Sequence, residues 1–250
     1  MSKRVSREGA RVPEVELSEL VDGKVKKYGS RELFGGRKVI LFALPGAFTP
    51  TCSTAHVPGY VAHLKAFREA GVDDIVCLSV NDPFVMEAWQ RSEKAQGVHF
   101  VADPFGELTK EMGMSIDHRD AGLGVRSWRY SMFVNDGVIE KMFIEPDVPG
   151  DPFEVSDADT MLKYLRPGQK DLGPVLMLAR HGCPFCAKAK DMLSSRGIAF
   201  DAVYLGDELT MQGVKAASGA AKVPQVFVGG KLVGGSDQLE TFLNSGPQRR

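Results

Sequence analysis

Cysteine is scarce in this chain: its 250 residues hold four, Cys52, Cys77, Cys183 and Cys186. So few, so unevenly placed, exclude the disulfide scaffold that small secreted domains rely on. An excess of one charge is lacking too, since 31 Lys and Arg face 32 Asp and Glu and the net charge is −1. That balance gives no reason to expect a nucleic acid or an anionic membrane as partner. Long apolar runs are missing, and nothing approaches the ~20 residues of a membrane-spanning helix. The opening "MSKRVSREGARVPE" is basic but has no apolar segment, so it does not read as a secretory signal. Glu8 and Glu14 interrupt the basic character a transit peptide would show. Repeats and low-complexity segments are absent as well. The expectation is a cytoplasmic protein whose thiols are core residues, metal ligands or redox groups.

What is present is the makeup of an ordinary globular chain, 43% hydrophobic and 25% charged, long enough for one large domain or two smaller ones. "RKVILFALP" reads as a buried strand and "PTCSTAHVPGYVAHLKAFREAG" as a helix that Pro58 kinks and Gly71 ends. "DIVCLSV" and "VHFVAD" are further strands, each followed by a helical segment, and "RYSMFVNDGVIEKMFIE" is a hairpin turning at Asp136-Gly137. Such alternation predicts an α/β sheet with helices on both faces. "LRPGQKDLGP" reads as a linker, placing a first domain at 1–166, the connection at 167–173 and a second domain at 174–250. The second domain has the order β-α-β-α-β-β-α, its first helix running from "CPFC" to Gly197.

Thr49 as N-cap and Pro50 at the first helical position put Cys52 in the first turn. There the free N–H groups and the positive end of the dipole favour a thiolate. A single cysteine is more often plain core, and the Thr-Pro-x-Cys entry is what argues for reactivity. His56, four residues on, shares the helical face; a zinc site would need further ligands that this half does not supply, so a structural histidine is expected. Cys77, inside an apolar strand, reads as inert core.

In "RHGCPFCAKAK", Cys183 and Cys186 form a Cys-x-x-Cys between a strand and a helix. A structural zinc reading is poor, because no second Cys or His pair follows. The position favours redox chemistry, with Cys183 at the helix cap, exposed and acidic, and Cys186 one turn in and more buried. Arg180, Lys188 and Lys190 make the surroundings positive, although helical lysines usually form a solvated face.

"PGAFTPTCS" resembles the peroxiredoxin signature Pro-x-x-x-Thr-x-x-Cys, and "CLSVNDPFVMEAW" and "RYSMFVNDGVI" extend the likeness to the type-five branch over nearly the whole first domain. The resemblance implies that Cys52 attacks peroxide and that Thr49 hydrogen-bonds the thiolate and peroxide. It further implies that Pro45 shields the pocket and that Arg129 activates the thiol, with Arg126 a weaker candidate. Cys-Pro-Phe-Cys, "KVPQVFVGG" and "GGSDQL" resemble a glutaredoxin over residues 174–245. That likeness implies a cis Pro224 and a glutathione site formed by Arg180, Val223, Pro224, Ser236 and Asp237. Lys222 and Phe185 depart from the residues common in that family. The whole chain resembles hybrid peroxiredoxin–glutaredoxin proteins. Implied are two thioredoxin-like domains, a glutathione-dependent peroxidase cycle through Cys52 and Cys183, no bound cofactor, glutathione as co-substrate, and a homo-oligomer. A thiol–disulfide oxidoreductase with a peroxide-sensing first domain is the rival expectation.

Overall fold

The computed structural model describes residues 4–167, 172–196, 198, 200–206 and 209–244. The chain divides into two compact units, Met1–Pro167 and Gly168–Arg250. Gly197, expected to end a helix, and residues 168–171 of the expected linker lie outside the described residues.

The first unit is built on strands β1 (Glu16–Val21), β2 (Lys24–Gly29), β3 (Lys38–Ala43), β4 (Asp74–Ser79), β5 (His99–Ala102), β8 (Tyr130–Asn135) and β9 (Val138–Ile144), joined in one sheet in the order β2-β1-β5-β4-β3-β8-β9. A separate hairpin pairs β6 (Ser115–His118) with β7 (Gly124–Ser127). β3, β4 and β5 run parallel at the centre. A parallel strand covered on both faces must be apolar on both, as "KVILFA" is. Val39, Leu41 and Ala43 enter one core with Val76 and Leu78, while Ile40 and Phe42 enter the other with Ile75 and Cys77.

Helices α1 (Ser30–Phe34) and α5 (Glu107–Glu111) contribute Leu33, Phe34 and Leu108 to the first core. The second core receives Val57 and Tyr60 from α2 (Val57–Ala62), Phe67 from α3 (Leu64–Glu69), Trp89 from α4 (Pro83–Ser92) and Met161 from α6 (Ala158–Leu165). Helices on both faces is what the strand-helix alternation predicts.

The hairpin β8–β9 turns at Asp136 and Gly137, with φ of 46° and 75°, both in the left-handed region that such a tight turn requires. Asp22 and Gly23, at 49° and 74°, make the same turn between β1 and β2. The outer edge of β9 is covered by the N-terminal segment: Gly9 N–H donates to Ile139 O (2.8 Å), Ile139 N–H to Ala10 O (2.9 Å) and Val12 N–H to Gly137 O (2.9 Å). At the other edge β2 exposes Lys24, Lys26 and Lys27.

The expected single helix after Cys52 is not uniform. After helical residues 50 and 51 the chain forms a π-helical turn, Cys52–His56, closed by Val57 N–H donating to Cys52 O, and α2 and α3 are separated at His63. Pro58, expected to produce the kink, sits in the first turn of α2, where its missing N–H is tolerated. The widened turn and His63 interrupt the helix instead.

The second unit has strands β10 (Val175–Ala179), β11 (Asp201–Tyr204), β12 (Gln225–Val228) and β13 (Lys231–Gly234) in the order β11-β10-β12-β13. With α7 (Pro184–Ser194), α8 (Met211–Ser218) and α9 (Ser236–Asn244), this reproduces the predicted β-α-β-α-β-β-α order among the described residues. β10 pairs parallel with β11 and antiparallel with β12, matching Leu178 to Gln225. The end of β10, which leads to Cys183, therefore lies beside Pro224 at the start of β12.

Candidate active site

Strand alternation brings the first site together. Tyr130, Met132 and Val134 of β8 enter the first core, so Arg129 and Phe133 face the other, where Cys52 lies. Arg129 Nη1 is 3.4 Å from Cys52 Sγ and donates to His56 Nδ1 at 3.1 Å, while Nη2 donates to Asp151 Oδ1 at 2.5 Å. Cys52 and His56 are fully buried and Arg129 is 1% exposed. Burial opposes its charge, but the Cys52 charge and the bond and charge of Asp151 together outweigh it and raise Arg129 above an ordinary guanidinium.

His56 is neutral. Burial first, and then the Arg129 charge, push it well below the ordinary histidine value. Its Nε2 lies 3.2 Å from Ser156 O, and a carbonyl only accepts, so the proton sits on Nε2 and Nδ1 accepts from Arg129. It thus orients the arginine, in keeping with the expected structural role. Ser156 O also accepts from Tyr60 Oη at 3.0 Å. Ser156 is held in turn by Glu145, 2% exposed, whose carboxylate accepts from the N–H groups of Glu154, Val155 and Ser156 and from Ser156 Oγ over 2.7–3.0 Å.

Thr49 precedes the first helical residue as predicted, and Ser53 N–H donates to its carbonyl. Its hydroxyl does not cap the helix: it donates to Gly46 O at 2.8 Å and tightens the loop that carries buried Pro45. Arg126 donates to Val80 O and Leu123 O, bracing the neighbouring loop rather than contacting Cys52. Phe48, at φ 61° and 55% exposed, turns the chain between Pro45 and Thr49. Cys77 is fully buried, and burial, reinforced by the Cys52 charge, raises it well above an ordinary thiol.

In the second unit Cys183 is the N-cap of α7 and Pro184 its first residue, as expected. Burial opposes ionisation of Cys183, but bonds from the Cys186 thiol and from the Cys186 and Phe185 N–H groups, with the Arg180 charge, bring it below an ordinary thiol. Cys186 is pushed up to about 11 by burial and by the Cys183 thiol. Cys183 is acidic as predicted, but it is not exposed: at 7% it is nearly as covered as Cys186 at 2%, because both thiols join the core of this unit. A cleft of about 490 Å³ reaches them, lined by Arg180, His181, Cys183, Cys186, Lys190 and Tyr204 among others. Lys190 is not a solvated lysine; its Nζ meets the Tyr204 hydroxyl and lies over the ring. Lys188 pairs with Glu240 and Asp237 on α9.

The Val223–Pro224 peptide is cis. Val223 and Pro224 immediately precede β12, and Ser236 and Asp237 open α9; a side chain at Gly235 would meet the Pro224 carbonyl. These four are outside the cleft lining. Among the described residues no cluster of three or more His, Cys, Asp or Glu could hold a metal ion, and no helix is long and apolar enough to cross a membrane.

The redoxin family model matches residues 7–162 and the glutaredoxin family model residues 175–233. The hybrid peroxiredoxin hyPrx5 of Haemophilus influenzae is 51% identical over 238 residues, which span 95% of this chain and 99% of that one. The chain belongs to the hybrid peroxiredoxins. Peroxiredoxin sll1621 of Synechocystis is 57% identical over 141 residues, covering 55% of this chain and 75% of its own. The crystal structure of reduced Prx3 from Vibrio vulnificus in complex with hydrogen peroxide matches with a TM-score of 0.62 and 40% identity, over 65% of this chain and all of that one. This hybrid peroxiredoxin is thus an oxidoreductase of the peroxidase class that reduces peroxide, built from two thioredoxin-like α/β domains.

Glu145, Asp151 and Ser156 were not among the residues the sequence singled out. Their partners lie 9 to 100 residues away in the chain, and only Glu145, a carboxylate ending an apolar strand pattern, carried any local sign.

Proposed function

We propose that this hybrid peroxiredoxin is a glutathione-dependent thiol peroxidase whose glutaredoxin domain regenerates its own peroxide-reducing thiol. The Cys52 thiolate attacks the O–O bond of hydrogen peroxide or an alkyl hydroperoxide, releasing water or alcohol and leaving a sulfenic acid. Arg129 supplies the fixed positive charge that the departing oxygen requires, Thr49 orients the peroxide and Pro45 shields the pocket. Glutathione condenses with the sulfenic acid, expelling water and leaving a mixed disulfide. Cys183 attacks the glutathione sulfur of that disulfide and frees Cys52, and a second glutathione removes the first as glutathione disulfide. Cys186 serves as an auxiliary thiol. Arg180, Val223, Pro224, Ser236 and Asp237 hold the glutathione, and no other cofactor is needed.

The observation that carries this reading is the state of Cys77. It is the only other cysteine of the first domain, and it is fully buried with burial raising its thiol well above an ordinary one, which supports resolution of Cys52 by a thiol from outside that domain. The linker at 167–173 then raises the effective concentration of one domain for the other, within one chain or between chains of a homo-oligomer in the cytoplasm.

The test is NADPH consumption with hydrogen peroxide, glutathione and glutathione reductase, with no added thioredoxin or glutaredoxin. Rapid turnover that Cys52→Ser and Cys183→Ser abolish and Cys186→Ser largely spares is the expected result. Wild type that leaves peroxide untouched but reduces a small glutathione mixed disulfide would instead establish a thiol–disulfide oxidoreductase with a peroxide sensor.

A further inference from the structure

Arg129 has to be aimed, and the thiol alone does not aim it. Its Nη1 is shared between Cys52 and the neutral His56, and its buried Nε has no partner in the structure. A guanidinium is a rigid planar fork, so fixing a second nitrogen fixes the rotation of the whole group. The second fixed nitrogen is Nη2, bonded to Asp151. The Phe153 ring, 5.6 Å from the guanidinium carbon, lies against the same group.

Asp151 sits on the connection between β9 and α6, which is pinned on both sides. Upstream, Asp147 pairs with Arg4 at 2.9 Å, and Arg4 stacks 4.1 Å from the centre of the Trp128 ring. Downstream, Glu145 binds the N–H groups of residues 154 to 156. The Asp151 side chain, 43% exposed, is therefore presented to Arg129 from a fixed backbone.

We propose that Asp151 is a positioning residue of the peroxide site, holding Nη2 of Arg129 so that Nη1 stays turned to Cys52. This rests on the reading of Cys52 as the peroxide-reducing thiol and Arg129 as its partner. The charged and titratable groups in the electrostatic surroundings of the thiol are Arg129, the neutral His56 and the un-ionised Cys77, with Asp151 one guanidinium further out. Two roles for Asp151 predict opposite signs. As a nearby negative charge it would oppose a thiolate, and its removal would speed the reaction. As a positioning residue it is needed as an acceptor, and removing it slows the reaction by releasing the guanidinium.

The experiment uses the full-length chain at one fixed pH and follows oxidation of Cys52 by hydrogen peroxide in a single turnover, quantified on the Cys52 peptide by mass spectrometry. Wild type is compared with Asp151→Ala, Asp151→Leu, Asp151→Asn and Arg129→Ala, each checked by its urea midpoint. We expect the Ala and Leu variants to be slowed about tenfold or more. Asp151→Asn, which keeps the acceptor oxygen and loses the charge, should match or exceed wild type. Ala and Leu variants as fast as wild type would overturn the proposal, and so would an Asn variant slowed as much as they are. An unslowed Arg129→Ala would instead overturn the assignment of Arg129 itself.

Discussion

Replacing Glu145 with alanine should unlock the site from behind. Ser156 is fully buried, and both its N–H and its hydroxyl donate to Glu145, at 2.8 and 2.7 Å. Each buried donor left without an acceptor costs about 1–3 kcal/mol, so the pair sets an expected loss of about 3 kcal/mol. For a unit of this size that corresponds to roughly 6–12 °C in melting temperature. Glu145→Gln keeps an acceptor oxygen for Ser156 and should lose less than half as much. Both tryptophans, Trp89 and Trp128, lie in the first unit, so intrinsic fluorescence in a urea titration reads that unit alone. Because Ser156 O fixes His56 and Tyr60, the alanine variant should also lose peroxidase turnover while still folded in the absence of urea. A loss under about 1 kcal/mol, or equal losses for Ala and Gln, would refute the account of Glu145 as the anchor of this loop.

Other expectations follow from the same geometry. Iodoacetamide at pH 7 should label Cys183 at least about tenfold faster than Cys186, as peptide mapping will show, because the first thiol is lowered and the second raised. Burial opposes protonation of His99, but its bonds and charge contacts with Asp74 and Glu19 outweigh that and raise it above the ordinary value. The stability it adds, about 1 kcal/mol, is therefore complete below about pH 6.5 and lost as pH rises through the raised value. Urea midpoints of wild type and His99→Gln should accordingly differ at pH 6 and converge toward alkaline pH. Cys77→Ala should leave steady-state peroxidase turnover unchanged while lowering the unfolding free energy from a urea titration by about 1 kcal/mol, the cost of a small core cavity.

Much of this was legible because it is local. The Cys-x-x-Cys at a helix cap, the Asp136-Gly137 turn and the apolar strands each carry their signal within a few residues, and the structure keeps them. The β1–β2 hairpin escaped even though Asp22-Gly23 marks its turn, because half of "KVKKYG" is lysine and it lacks apolar alternation. The π-helical turn at Cys52 was not legible at all: it changes one hydrogen-bond register without changing composition. Cys183 was expected to be exposed because helix caps usually are, whereas here the thiol is drawn into the domain core. Asp151 reaches Arg129 across 22 residues, where sequence spacing carries no signal.

The two borders of the seven-stranded sheet have a consequence for how copies of this protein can meet. At one border the chain's own N-terminal segment pairs with the start of β9, and Glu8 accepts from Met142 N–H further along; the other border carries Lys24, Lys26 and Lys27 on β2. Neither offers a neutral, unpaired ladder on which a second sheet could extend the first. Extension of this sheet by a strand of a second copy is therefore disfavoured at these two borders.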